Sequence, residues 1–161
     1  MDNGRRIKSY FGENKDVNQT YDMAPIKLTI ESVKLLQHTN VDTETAEYIK
    51  SIHDKDINGE LNVIQFIYNV ENTTDANIMF HTVDTLTTDT KAQIMGIHDL
   101  ARSSDVGINN GKAAVEGLAI LPYFNGPLTD INSVNIITGV VWDNDNPNNL
   151  SPIQKIEISL K

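Results

Sequence analysis

The sequence predicts a mainly β protein, an antiparallel β-sandwich of about seven to eight strands with one short inserted helix at about residues 42–53. Three observations favour this fold. Apolar and polar residues alternate over most of the chain, turn-forming residues interrupt the alternation at short intervals, and one segment has helical spacing. A fold of β-α-β units would interleave several helices, and a closed barrel is the architectural alternative.

The composition fits one domain and excludes several kinds of site. The 161 residues include no cysteine, which excludes disulfides, thiolate metal sites and cysteine nucleophiles. There are 22 acidic and 13 basic residues, a net charge of −9, and basic residues cluster only at Arg5–Lys8. Because a phosphate-binding face needs clustered Lys and Arg, we expect no nucleic-acid partner. No apolar run approaches the ~18 residues of a transmembrane helix.

The chain is expected to begin with a tether. Residues 1–24 are polar and have little periodicity, which predicts a flexible N-terminal tether followed by one sandwich domain over residues 25–161. The domain opens with a half-buried strand, in which apolar residues alternate from Ile26 to Ile30. The parity then shifts by one before Val33, which is typical of a β-bulge.

The inserted helix is predicted from its cap and its apolar spacing. Asp42 or Thr43 can accept hydrogen bonds from the first turn. The apolar residues at helical spacing are Ala46, Ile49 and Ile52.

The strongest strand signal runs from Leu61 into the turn Asn72–Asp75. Aromatic and β-branched residues predict one face that is fully buried and a second that is partly buried. The first face consists of Ile64, Phe66, Tyr68 and Val70.

Shorter strands are predicted over the rest of the chain. One covers Ile78–Thr82, with His81 partly exposed, and a continuous strand covers Leu86–Ile94. A polar loop follows at about residues 96–112. The later apolar faces are Val115, Leu118 and Ile120 around a bulge at Gly117, then Val134, Ile136, Val140 and Trp142, and finally Ile156, Ile158 and Leu160.

The segment Gly59–Asp75 resembles a known family. It is similar to the telokin-like, immunoglobulin-fold domain of unknown function found in Gram-positive (Firmicute) lipoproteins, where a Gly precedes a long apolar strand that ends in Glu-Asn-Thr-x-Asp. Here these positions are Gly59 and Glu71–Asp75. The resemblance implies an immunoglobulin-like sandwich in a cell-surface lipoprotein, anchored through a lipidated cysteine upstream of Met1. It implies no catalytic residues.

A cation site is the sharpest chemical hypothesis. Asp54, Asp56 and Asn58 precede Gly59 in the order D-x-D-x-N-G, which matches the front of a calcium-binding EF-hand loop. Gln65 stands where such a loop needs its closing carboxylate, and a strand follows. A polar helix-to-strand loop is therefore the favoured alternative. A weak calcium site would use Asp54, Asp56 and Asn58 as side-chain ligands, with the Glu60 carbonyl helping.

Two other features are candidates for binding. Tyr123 and Phe124 precede a loop and would form a binding patch if exposed, or a lid on the core if packed; the core lid is favoured. The acidic loop Asp143–Asn149 could hold a cation, but a solvated connection between strands explains it better. No histidine pair has the spacing of a zinc site.

The sequence therefore predicts a non-enzymatic extracytoplasmic binding or interaction domain, with a protein or cell-envelope ligand and no cofactor. The alternative is a calcium-stabilised structural or adhesive module that uses the loop Asp54–Glu60. A hydrolase with a spatially assembled site is the third hypothesis.

Overall fold

A computed structural model describes residues 9–101, 105–108, 111–146 and 148–161. It contains one α-helix, twelve strands and two short 3-10 turns, at Gly96–His98 and Leu128–Asp130. The helix and strands are β1 (Ser9–Met23), β2 (Ile26–Thr39), α1 (Thr43–His53), β3 (Glu60–Asn72), β4 (Ile78–His81), β5 (Thr85–Thr88), β6 (Gln93–Met95), β7 (Asp105–Ile108), β8 (Ala114–Pro122), β9 (Ser133–Ile137), β10 (Val141–Asp143), β11 (Asn149–Ser151) and β12 (Lys155–Ser159).

The strands form three four-stranded antiparallel sheets, in the orders β1-β2-β3-β8, β11-β10-β4-β7 and β12-β9-β5-β6. One apolar core joins them, with Tyr68 from the first sheet, Phe80 from the second and Ile136 from the third. The predicted mainly β, antiparallel sandwich with a short helix is confirmed. The described residues hold twelve strands where seven to eight were predicted. The immunoglobulin-like topology stays a prediction.

The first strand overturns part of the predicted tether at residues 1–24. β1 pairs with β2 at the edge of the first sheet, Met23 is buried, and Val17 and Tyr21 pack against the core. A flexible start is therefore wrong for residues 9–23, while residues 1–8 lie outside the described part. An edge strand is bonded to the sheet on one side only and tolerates many polar residues, so its sequence signal is weak. Two register shifts interrupt it, as is common at sheet edges.

β2 and β3 form the centre of the first sheet. The predicted bulge is confirmed, because Ile30 pairs with Tyr68 and Ser32 with Ile67, which leaves Glu31 without a paired residue. The bulge shifts the parity of β2 by one, and so keeps its apolar residues on the core face on both sides of the shift. The predicted buried face of β3 is fully enclosed: Ile64, Phe66, Tyr68 and Val70 are each 0% exposed.

Helix α1 covers the opposite face of this sheet at one end. Asp42 caps it by accepting a hydrogen bond from Thr45 N at 2.7 Å, and Asp54 ends it in the left-handed conformation with φ 52°. The helix buries Ile49 in a second, smaller apolar cluster. The other buried members of this cluster are Leu36, Leu61 and Val63. Both faces of the β2–β3 pair are thus buried where the helix lies.

The predicted continuous strand Leu86–Ile94 is instead a hairpin. β5 and β6 pair with Leu86 opposite Ile94, and Lys91 turns the chain with φ 66°. In one continuous strand, Leu86 and Ile94 would point to the same face because they are an even number of positions apart. As paired residues of a tight hairpin they also point to the same face, and this is why the prediction was wrong. Alternation alone cannot distinguish the two arrangements.

Gly117 marks a close contact where the sequence predicted a bulge. β8 pairs with β3 without a register shift, and Gly117 lies opposite Tyr68. The Tyr68 ring folds over the glycine, so that a Cβ there would lie 2.3 Å from Cζ. A glycine within a strand marks either a bulge or such an approach, and here it is the approach.

We expect Gly117→Ala to lower the free energy of unfolding by about 1–3 kcal/mol, because the new methyl group overlaps the buried Tyr68 ring. Urea denaturation of both proteins measures this difference. Ala114→Val, at an exposed position on the same strand, is the control and should change stability by less than ~0.5 kcal/mol. Equal effects of the two substitutions would show that the ring contact is not what requires glycine.

Candidate functional site

Two features that the sequence presented separately lie at one open cleft. The loop after α1 contributes Ile57 and the start of β3, and the segment after β8 contributes the aromatic pair. The cleft has a volume of about 270 Å³. It is lined by Gln37, Ile57, Glu60, Leu61, Asn62, Tyr123, Phe124 and Gly126.

The sheet register builds this cleft. Gln37 near the end of β2 pairs with Asn62 near the start of β3, and Val63 pairs with Pro122 at the end of β8. The backbone N–H of Tyr123 then donates to the Asn62 carbonyl at 2.8 Å and extends the pairing past the strand. The cleft therefore opens where three adjacent strands begin or end.

Three polar side chains in the cleft have unused hydrogen-bonding capacity. Gln37, Glu60 and Asn62 make no side-chain hydrogen bond or ion pair within the part of the chain that the structure describes. Glu60 is exposed, and the two amides are partly so. Among the residues that the structure describes, Glu60 is also the only charged one that lines the cleft. Polar groups that converge beside an aromatic ring without internal partners are typical of a binding site.

The aromatic pair is split between core and cleft. Tyr123 is 2% exposed, and its hydroxyl shares a hydrogen bond with Thr90 Oγ1 at 2.8 Å and donates to the Asn125 carbonyl at 3.1 Å. An exposed binding patch is therefore wrong for Tyr123, and the core-lid alternative describes it. Phe124 is half-buried against the cluster under α1 and leaves part of its side chain for the cleft.

Two of the predicted calcium ligands pair with a lysine. Asp54 and Asp56 converge on the ammonium of Lys50, with Nζ–Oδ distances of 2.9 and 3.1 Å. The hydrogen bonds that Lys50 donates to Asp54, and with a smaller effect to Asp56, raise the pKa of Lys50 above its ordinary value. Glu60 instead lines the cleft, and the described residues show no group of three or more acidic or histidine ligands that could hold a metal. The calcium site that includes Asn58 stays a prediction.

Lys50 provides the test of that prediction. In Lys50→Met the two carboxylates lose their ammonium partner, so about 10 mM calcium should raise the melting temperature of the variant above its value in EDTA. For a site with a Kd near 1 mM the stabilisation is about 1.4 kcal/mol. Lys55→Met removes the same charge from a residue with no ion pair in the described structure and should respond as the wild type does. No calcium response in Lys50→Met would contradict a site built on Asp54 and Asp56.

Two histidines lie behind Phe124. The ring of His53, the last residue of α1, is 4.7 Å from the ring of His98 and 5.1 Å from that of Phe124, measured between centroids. His53 Nε2 is buried and has no hydrogen-bond partner in the described part of the chain. Burial, with a smaller contribution from the charge of His98, lowers the pKa of His53 below 6.5. Burial also lowers the pKa of His38, whose Nε2 is likewise buried without a partner among the described residues.

These histidines predict a loss of stability in mild acid. Because the folded-state pKa of His53 and of His38 lies below 6.5, the unfolded chain binds more protons as the pH falls through that value, and the free energy of unfolding decreases. Urea denaturation at pH 7.5 and pH 5.5 measures the decrease, in a range above the ordinary pKa of carboxyl groups. His53→Gln should reduce the difference in stability between the two pH values, and Gln93→Asn, which exchanges one exposed neutral side chain for another, should not. An unchanged difference in His53→Gln would contradict the assignment.

Some surface residues were not recognised as candidates from the sequence. Gln37, Ile57 and Asn62 belong to the cleft, but they are ordinary strand and loop residues in the sequence, and only the register of three strands brings them together.

Trp142 was predicted to share a buried face with Val140. The structure instead buries Val141 and leaves Trp142 38% exposed, so the predicted parity of this strand was wrong by one residue.

The second acidic loop is explained by its own turn. Asp143 Oδ1 accepts hydrogen bonds from Asp145 N at 2.9 Å and Asn146 N at 3.0 Å, and Asp145 Oδ2 accepts from Asn77 Nδ2 at 3.0 Å. An aspartate that bonds to its own following backbone in this way stabilises a turn. The carboxylates of this loop thus have structural partners.

Comparison with solved structures gives a match for this chain, and comparisons with family models and with curated proteins give none. Among solved structures, that of a functionally unknown protein from Listeria monocytogenes EGD-e is similar, with a TM-score of 0.62 and 14% sequence identity, over 97% of this chain and 89% of that chain. At this identity the similarity shows a shared fold.

No helix in the described part of the chain has the length and hydropathy needed to cross a bilayer.

Proposed function

We propose that this chain is a non-enzymatic binding domain of a cell-surface lipoprotein, which contacts a protein or cell-envelope ligand through the cleft. The observation that supports this proposal is a set of polar side chains around the partly exposed ring of Phe124. These side chains, which have no partner among the described residues, are Gln37, Glu60 and Asn62. Amides, a carboxylate and an aromatic ring are groups that bind and orient a ligand.

The compartment in this proposal comes from the resemblance of Gly59–Asp75 to lipoprotein domains. Anchoring would use a lipidated cysteine upstream of Met1, and the acidic net charge of −9 suits a ligand of neutral or positive charge. A loop-rich end of a rigid sandwich is a common position for such a site, because the strands hold the loops in place. The cleft has this position, between the loop after α1 and the segment after β8.

Co-sedimentation with isolated Gram-positive cell envelopes tests the binding proposal. We expect the wild-type protein to sediment with envelopes, and Phe124→Ala or Asn62→Ala to reduce the bound fraction about fivefold, the effect of losing one important contact. Trp142→Ala, which truncates an exposed aromatic residue outside the cleft, is the matched control and should bind as the wild type does. Melting temperatures would confirm that each variant is folded.

Two results would overturn the proposal. Absence of wild-type sedimentation would contradict a cell-envelope ligand, and equal loss of binding in the cleft variants and in Trp142→Ala would remove the cleft as the site that binds it. Expression of the full-length gene with labelled palmitate would test the anchor separately, and an unlabelled product in the soluble fraction would contradict surface attachment.

A further inference from the structure

The amide groups of the cleft match a peptide backbone. Gln37 and Asn62 lie side by side on neighbouring strands, and each side-chain amide offers one acceptor oxygen and an NH₂ donor. An extended peptide presents the same pair, a C=O and an N–H, at each residue. Both amides lack side-chain partners within the described structure, so binding such a peptide would break no internal side-chain hydrogen bond.

The charge of the cleft favours a cation. Glu60 is exposed and is the only charged lining residue in the described part of the chain, while the carboxylates of Asp54 and Asp56 are already paired with Lys50. The lining holds no lysine, arginine or histidine from the ranges that the structure describes. Glu60 is therefore the carboxylate that remains available to a ligand. The net charge of −9 on the chain also attracts a cation.

The apolar surfaces and the size of the cleft fit the stem of one long side chain. Ile57 and Phe124 can cover methylene groups, as the stems of Lys and Arg are covered when their charged ends stay in water. The Phe124 ring can in addition attract a cation at its face. A volume of about 270 Å³ is below the ~300–1,000 Å³ of pockets that enclose a whole small molecule, but it suffices for one side chain.

We propose that the cleft binds a basic, extended peptide segment of a partner protein, with one Lys or Arg side chain inserted between Phe124 and Glu60 and its backbone held by Gln37 and Asn62. This inference rests on the proposed binding function and assigns its ligand class. The ion pair with Glu60 selects the charge, and the amides and the ring set the orientation. An exposed ion pair contributes modestly, so a single short peptide binds weakly, with a Kd of about 1 mM.

Nuclear magnetic resonance titration with short blocked peptides tests the ligand class. The probes are glycine pentapeptides with a central lysine, arginine, norleucine or glutamate. We expect the lysine and arginine peptides to shift the side-chain amide signals of Gln37 and Asn62, with a Kd about three- to fivefold lower than that of the norleucine peptide. The glutamate peptide should not bind, and binding of the basic peptides should weaken at high salt.

Glu60→Gln is the decisive variant, because it keeps the shape of the side chain and removes its charge. The Kd for the lysine peptide should rise about three- to fivefold to equal that for norleucine. Glu157→Gln removes an equal charge from an exposed position on β12 and should leave the Kd unchanged. Equal Kd values for lysine and norleucine peptides in the wild type, or no effect of Glu60→Gln, would overturn the proposal.

The outcomes separate this inference from the proposed function. If wild-type protein sediments with envelopes through the cleft and no basic peptide shifts the signals of Gln37 or Asn62, the ligand class is wrong and the binding function stands. If basic peptides bind at the cleft and envelopes do not, the ligand class stands and the cell-envelope ligand is wrong. Shifts spread over the surface and away from the cleft would indicate non-specific attraction to the acidic chain, which also overturns the inference.

Discussion

The pairing of β2 with β3 is the constraint on which the rest of the structure depends. It forms the centre of the first sheet and presents fully buried residues to the core along its length. At one end the opposite face is buried as well, because α1 places Ile49 over Leu36 and Val63. Where only one face of this pair is buried, a register shift of one residue would move its apolar side chains from the core face to the opposite, less buried face. Its register is therefore strongly determined, and the elements attached to its ends are held in place.

The cleft is a consequence of where that pair ends. The chain leaves β2 at Thr39, forms α1, and returns through the loop that begins at Asp54 to start β3 at Glu60. The left-handed residue at the end of the helix and the glycine before Glu60 (φ 77°) turn the chain back toward the sheet. The ammonium group of Lys50, on α1, forms ion pairs with both aspartates of this loop. The two carboxylates therefore already have a cationic partner within the protein. Glu60 takes no part in these ion pairs and lines the cleft.

The same end of the molecule carries two buried histidine nitrogens. His38 and His53 each bury Nε2, and neither nitrogen has a hydrogen-bond partner in the described residues. Burial of a titratable group without a hydrogen bond disfavours its charged form, which explains the direction of both pKa shifts. His53 also contacts Phe124, which lines the cleft. The histidine whose protonation affects stability therefore packs against a residue of the cleft. Acid and ligand would therefore act on the same small region.

The sequence by itself determined the features that depend on local periodicity. The alternation of apolar and polar residues located β2 with its bulge, β3 and the inward face of β12, because in a strand every second side chain is buried. The capping residue Asp42 located the start of the helix, because it accepts a hydrogen bond from the first turn. Tertiary structure alone decided the rest. Whether β1 pairs, whether Leu86–Ile94 is one strand or two, and why residue 117 is glycine all depend on a neighbouring strand. The cleft depends on three such pairings at once, and residues brought together only by register leave no pattern along the chain.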